Sequence, residues 1–202
     1  MALYTIKDLE KMSESYFLKN LPYNNPSKEA SAKLLESANG FSADEEYDIF
    51  MSHSFLDAEY IYVLKKDIEY MGFSVYVDWY DDSQLDRSKV TIKTASLLRE
   101  RMKNCKSLLY IASEKSKQSK WMPWELGYFD GIKNKVAILP VLNTSTNTDN
   151  FKGQEYLGLY PYITKNRIKS INQEFLYVHE NNYETKYVSF EGWINGKNLR
   201  KH

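Results

Sequence analysis

The chain has 202 residues, 43% of them hydrophobic and 27% charged, with 27 basic residues against 27 acidic ones. That length suits one domain with an extension, and it buries enough surface to need no disulfide or metal staple. A neutral chain gives no ground for a nucleic-acid groove or an anionic membrane surface, and no repeat or low-complexity tract is present.

In chain order, the start, MALYTIKDLEKM, carries no apolar run of signal-peptide length, and nothing later approaches a membrane span. A cytoplasmic protein is therefore expected. Tyr4 to Phe17 has the pattern of one amphipathic helix. Pro22 and Pro26 break it, and Ser27 is placed to cap a second helix running toward Ser37. ANGFSADEE then reads as a linker. Residues 1–45 are expected to be an N-terminal helical extension, and 46–202 the main domain.

From Tyr47 short apolar runs alternate with helical stretches. YDIFMSH is a strand candidate, and Ser54 with Asp57 reads as an S-x-x-D cap for a helix with Ile61, Leu64, Ile68 and Met71 on its apolar side. Gly72 stands where a helix stop belongs. SVYVDW (74–79) is a second strand, followed by a polar loop. Ala95, Leu98, Met102 and Cys105 mark the apolar side of the next helix. Arg99, Arg101 and Lys103 on that helix read as a solvated face.

SLLYIAS (107–113) is a third strand, a helix is expected around 119–132, and VAILPV (136–141) is a fourth strand. Helical stretches of this length between strands imply right-handed crossovers and a parallel sheet. Beyond it, YLGLYPYI suggests a short helix before Pro161. EFLYVH (174–179) reads as a fifth, edge strand, and Ser189 to Ile194 as a short closing helix.

In open parallel sheets ligands bind beyond the carboxyl ends of the strands. The segments there are Ser52, His53 and Ser54, then Trp79 to Lys89, then Ser113 to Trp121. The eight glycines form neither G-x-G-x-x-G nor a P-loop, and the histidines, His53, His179 and His202, are scattered. No metal site is expected. Cys105, the only cysteine, reads as a buried structural thiol. The acidic cluster Asp78, Asp81, Asp82 and Asp86 lacks an acidic pair after the first strand, so a solvated loop is its plainer reading.

Glu125 is the sharper signal. In a helix Trp121 lies at i−4, Tyr128 at i+3 and Phe129 at i+4, all on the face of Glu125. Pro123 is tolerated only in a first turn, which puts the helix start near Ser119 to Met122. A carboxylate there is either packed and paired or facing a cleft. Full burial of a carboxyl disfavours its charge, so a charged role needs a partly open cleft.

The segments YDIFMSHS, DWYDDSQLDRSKV, TIKTASLLRERM and SKQSKWMPWELGYFDG, in that order, resemble bacterial Toll/interleukin-1 receptor (TIR) domains. The resemblance runs from about Tyr47 to Val141 and on toward Ile194. It implies a flavodoxin-like α/β fold, with a central parallel sheet of about five strands and helices on both faces. It also implies cleavage of NAD⁺ at the nicotinamide–ribose bond, with no further cofactor. The family's S-x-W-C-x-x-E pattern falls on Ser119, Trp121 and Glu125, with Met122 where cysteine is usual.

On this resemblance Glu125 is the catalytic residue, holding the hydroxyls of the nicotinamide ribose. Ser52, His53, Ser54, Trp79, Asp81, Ser119 and Trp121 are expected to contact NAD⁺. Loss of nicotinamide leaves an oxocarbenium-like ribose that a carboxylate stabilises, and the pyridinium leaving group needs no acid. Residues 79–90 are expected to mediate TIR–TIR self-association. A nucleotide product would reach a separate effector, as in Thoeris-type anti-phage defence. A non-catalytic TIR adaptor and a nucleoside deoxyribosyltransferase-like enzyme are the alternatives.

Overall fold

Alternation of side chains along three buried strands sets the architecture. The computed structural model describes residues 1–20, 45–54, 57–77, 91–143, 151, 155–181 and 183–201. The elements are β1 (Tyr4–Thr5), α1 (Ile6–Asn20), β2 (Tyr47–Ser52), α2 (Ala58–Tyr70), β3 (Val75–Tyr76), α3 (Ile92–Lys103), β4 (Cys105–Ala112), α4 (Trp121–Lys133) and β5 (Val136–Leu142). They continue with β6 (Tyr162–Ile168), β7 (Gln173–Glu180), β8 (Tyr183–Ser189), α5 (Phe190–Ile194) and β9 (Arg200–Lys201).

Among the described residues the strands form one sheet in the order β3-β2-β4-β5-β6-β7-β8-β9. The stretch from β3 to β6 is parallel, and β6 to β9 are antiparallel. This is the expected α/β fold with a mostly parallel central sheet, but β6 and not EFLYVH follows β5 in parallel, and an antiparallel half lengthens the sheet. Ile49, Met51, Leu109 and Ile111 pack on one side with Leu9 of α1, Leu64 of α2 and Phe190 of α5. Phe50, Leu108 and Tyr110 point the other way, onto Leu98 and Met102 of α3 and Met122 and Phe129 of α4. Helices cover both faces because neighbouring strand residues face opposite sides.

Several sequence expectations are corrected. Tyr4 and Thr5 are a strand, paired in parallel with Val141 and Leu142, and the helix begins only at Ile6. Pro140 explains the opening that β1 fills. Ile138 donates its N–H to Pro161 of the chain entering β6, and Pro140, two residues on, faces the same side without an N–H. Pairing of β5 with β6 is confined to Ile138 and Tyr162, and β1 takes over at the end of β5.

Cys105 opens β4 instead of ending α3, although it is buried, 1% exposed, with its thiol on the Arg101 carbonyl. Of the three cations on α3, Arg99 and Lys103 are exposed as expected, with Arg99 lying over the Trp124 and Tyr128 rings, whereas Arg101 is buried. EFLYVH lies inside β7, which has β6 on one side and β8 on the other; it is no edge. The turn before Pro161 is a short 3-10 helix, Glu155–Leu159, and the closing helix forms with Ser189 capping the Gly192 N–H. Gly72 holds φ at +95° past the end of α2, as a helix stop requires. The helix proposed from Ser27 falls outside the described residues.

Candidate functional site

The last residue of β2 meets the first turns of α4. Phe50 faces α3 and α4, so Ser52, two residues on, faces the same way. Its hydroxyl donates to Glu125 Oε2 at 2.6 Å. Both are enclosed: Ser52 is 1% exposed and Glu125 0%. Pro123 sits in the first turn of α4, which begins at Trp121, and the Ser119 hydroxyl accepts the Met122 N–H there. Glu125 thus projects from a pinned helix start onto a buried strand end.

The aromatic face divides. Phe129 packs in the core, whereas Trp124 stacks on Tyr128 at 5.8 Å, turned toward Arg99. Trp121 is half-buried and meets Trp124 edge-on at 5.4 Å. His53 and Ser54 are buried beside Ser52, with His53 Nδ1 3.1 Å from the Met51 carbonyl oxygen. The Ser54 carbonyl accepts the Asp57 N–H, and Asp57 is the residue that precedes α2. The expected S-x-x-D cap is therefore shifted: Asp57 makes no side-chain cap bond and instead accepts from the Ser113 hydroxyl.

That contact ties the segment after β2 to the segment after β4. Ser113 also receives the Ser116 N–H at 3.0 Å, and Ser116 donates its hydroxyl to the Ser113 carbonyl at 2.7 Å. Asp57, Ser113 and Ser116 are all buried. Trp79 and Asp81, with the rest of the acidic cluster and the 79–90 segment, lie outside the described residues. Among the described residues no group of acidic, histidine or cysteine side chains is placed to hold a metal ion, and no helix is long and apolar enough to cross a membrane.

A cavity of about 510 Å³ opens at the carboxyl ends of β4 and β5. Glu125 is not in its wall. Its neighbour is: Tyr110, which lines the cavity, is the register partner of Ser52 on the adjacent strand. Burial, followed by the nearby Tyr156 hydroxyl, pushes the Tyr110 phenol well above its ordinary value. Sequence reasoning did not single out Tyr110 or Tyr156. Ser113 and Ser116 stood in a named segment, but nothing in the sequence marked their contacts.

No protein-family model matches the chain. It is 51% identical over 195 residues to the "Probable 3' cyclic ADP-D-ribose synthase ThsB'" of Bacillus cereus (strain MSX-D12), across 96% of this chain and 98% of that protein. A second relative, TIR2 of Cytobacillus dafuensis, is also named for cyclic ADP-D-ribose synthesis. It is 33% identical over 97 residues, which are 48% of this chain and 25% of that longer protein.

Proposed function

The chain belongs to the family of bacterial TIR-type cyclic ADP-D-ribose synthases, and from that premise we propose that it cleaves the nicotinamide–ribose bond of NAD⁺ and closes the ADP-ribosyl group into a cyclic ADP-ribose. The 3′ cyclic product in the name of the Bacillus relative is the specific form to look for. The proposed setting is anti-phage defence in the cytoplasm, with the cyclic product carrying the signal to a separate effector. Self-association through residues 79–90 belongs to the same proposal and rests on the family resemblance.

The observation that carries the site assignment is the Ser52–Glu125 contact. As the C–N bond breaks, its electron pair leaves with nicotinamide, which departs neutral, and positive charge develops on the ribose. A carboxylate fixed beside that carbon stabilises the charge, and the effect is larger in a water-poor site. The Ser52 hydroxyl holds the carboxylate in one orientation, so little reorganisation is needed during the reaction. An internal hydroxyl then takes the carbon and gives up a proton, which yields nicotinamide, a cyclic product and H⁺. Attack by water yields ADP-ribose instead.

Glu125 is fully buried, which disfavours its charge, so both the charged role and the access of NAD⁺ require the covering side chains to move and open the cleft. The same burial favours a second reading, a TIR adaptor that binds without catalysis. One experiment separates the two. Purified protein, tested also at high concentration, is incubated with NAD⁺ while nicotinamide is followed by chromatography and products by mass spectrometry. Nicotinamide with a cyclic ADP-ribose supports the enzyme; intact NAD⁺ throughout leaves the adaptor.

A further inference from the structure

We propose that the cavity at the carboxyl ends of β4 and β5 holds the adenosine half of NAD⁺, and thereby decides whether the ribosyl cation closes on itself or is taken by water. The inference rests on the reading of the chain as an NAD⁺-cleaving enzyme, and it adds a second binding region that the Glu125 assignment does not contain.

Position comes first. Tyr110 stands opposite Ser52 on the neighbouring strand, about 5 Å away, and on the same side of the sheet. Pro123, two residues before Glu125, is also part of the wall. A dinucleotide with its nicotinamide ribose at Glu125 therefore has a half-open cavity one strand further along for its other half. At about 510 Å³ the space lies within the range of small-molecule sites.

The lining chemistry suits an adenine nucleoside. Phe151 and Tyr156 offer aromatic surface, and Leu142 and Leu157 supply apolar walls. Tyr156 is 39% exposed, with its hydroxyl engaged by Tyr110, and its ring offers a stacking face. Lys117, also in the wall, is held by Glu114 at 3.2 Å in an exposed pair. Such pairs contribute little, so the ammonium group can turn to a phosphate at small cost. The Asp57–Ser113–Ser116 hydrogen bonds fix one wall in advance, which lowers the ordering cost of binding.

The consequence is kinetic. With the adenosine held, one of its ribose hydroxyls becomes an intramolecular nucleophile. Well-oriented groups of this kind reach effective molarities of about 10⁵–10⁸ M, which bulk water cannot match. The C–N bond to nicotinamide breaks, the hydroxyl oxygen bonds to the ribosyl carbon, and its proton leaves to solvent. When the adenosine is loose, a water oxygen forms that bond instead and the product is linear ADP-ribose.

The test uses the full chain, calorimetry with adenosine 5′-monophosphate, and the ratio of cyclic to linear product. We expect the nucleotide to bind wild type and Glu125→Gln alike. Tyr156→Ala and Lys117→Ala should each bind it at least tenfold more weakly and shift the product toward linear ADP-ribose. Lys117 is on the surface, so its variant keeps the test valid if Tyr156→Ala folds poorly. No binding to wild type, or unchanged affinity in both variants, overturns the proposal. If no protein releases nicotinamide, the enzymatic reading fails by itself, and the binding result still decides whether this cavity is an adenosine site.

Discussion

Ser52 on β2 and Glu125 on α4 are 73 residues apart in sequence and share a buried 2.6 Å hydrogen bond. Replacing Ser52 with alanine removes that bond from the core, a loss of about 1.5–3 kcal/mol if the carboxyl is ionised. The expected outcome is a lower melting temperature together with slower nicotinamide release. A Ser52→Ala protein that melts and turns over like wild type would show that the contact neither holds the fold nor orients Glu125.

Tyr4 links the amino-terminal strand to the body of the protein. Its hydroxyl donates to Asp67 Oδ2 at 2.7 Å, and Lys165 bonds the same oxygen at 3.1 Å while lying 4.8 Å over the Tyr4 ring. The side chain is 2% exposed. Tyr4→Ala should cost about 3–5 kcal/mol, as for other large aromatics cut back in a core. Tyr4→Phe should cost only about 1 kcal/mol, the net value of one hydrogen bond. Denaturant melts of the two variants measure both. Equal stability of Tyr4→Ala and wild type would mean that β1 lies outside the cooperative unit.

The pair Asp48–Lys106 gives a pH signature. Lys106 Nζ lies 2.8 Å from Asp48 Oδ1, and the Ser74 N–H and hydroxyl both donate to Oδ2. Partial burial works against the charge of Asp48. The hydrogen bonds from Lys106 and Ser74 outweigh it and hold the carboxyl below its ordinary value. A carboxyl depressed in the folded state stabilises above its unfolded pKa, and the contribution is lost as pH falls through the folded one. Wild type should therefore lose stability relative to Asp48→Asn as pH drops below about 4. Thermal melts from pH 7 down to pH 3 should converge; curves that stay parallel would remove this pair from the acid response.

The parallel half of the fold was legible because its signals are dense. Consecutive apolar residues in β4 and β5, and the 3–4 spacing of Ile61, Leu64 and Ile68, admit few other readings. The antiparallel half was legible only at EFLYVH, inside β7, and at the closing helix. In β6, Lys165, Asn166 and Arg167 interrupt the apolar pattern, and Thr164 is buried although polar. In YETKYVS of β8 the alternation is short and mostly polar. Two-residue β1 is below any periodicity window. Its place follows from Pro140, whose missing N–H acquires meaning only once the register with β6 is known. Of the candidate site, helical spacing gave Glu125 its aromatic neighbours and Pro123 placed it near the start of α4. Ser52 was named by its place at a strand end, but its bond to Glu125 and the cavity beside Tyr110 depend on how distant segments pack, which no local pattern carries.

On the proposed function, the Glu125 carboxylate, and not the fold around it, drives cleavage of NAD⁺. Glu125→Gln keeps the shape and an oxygen for Ser52 but removes the charge. Nicotinamide release by this variant and by wild type, at matched concentration and with matched thermal melts, measures the difference. The expected result is an intact fold with release slowed on the order of 10²-fold or more, corresponding to about 3 kcal/mol of transition-state stabilisation. Equal rates from two equally stable proteins would contradict it.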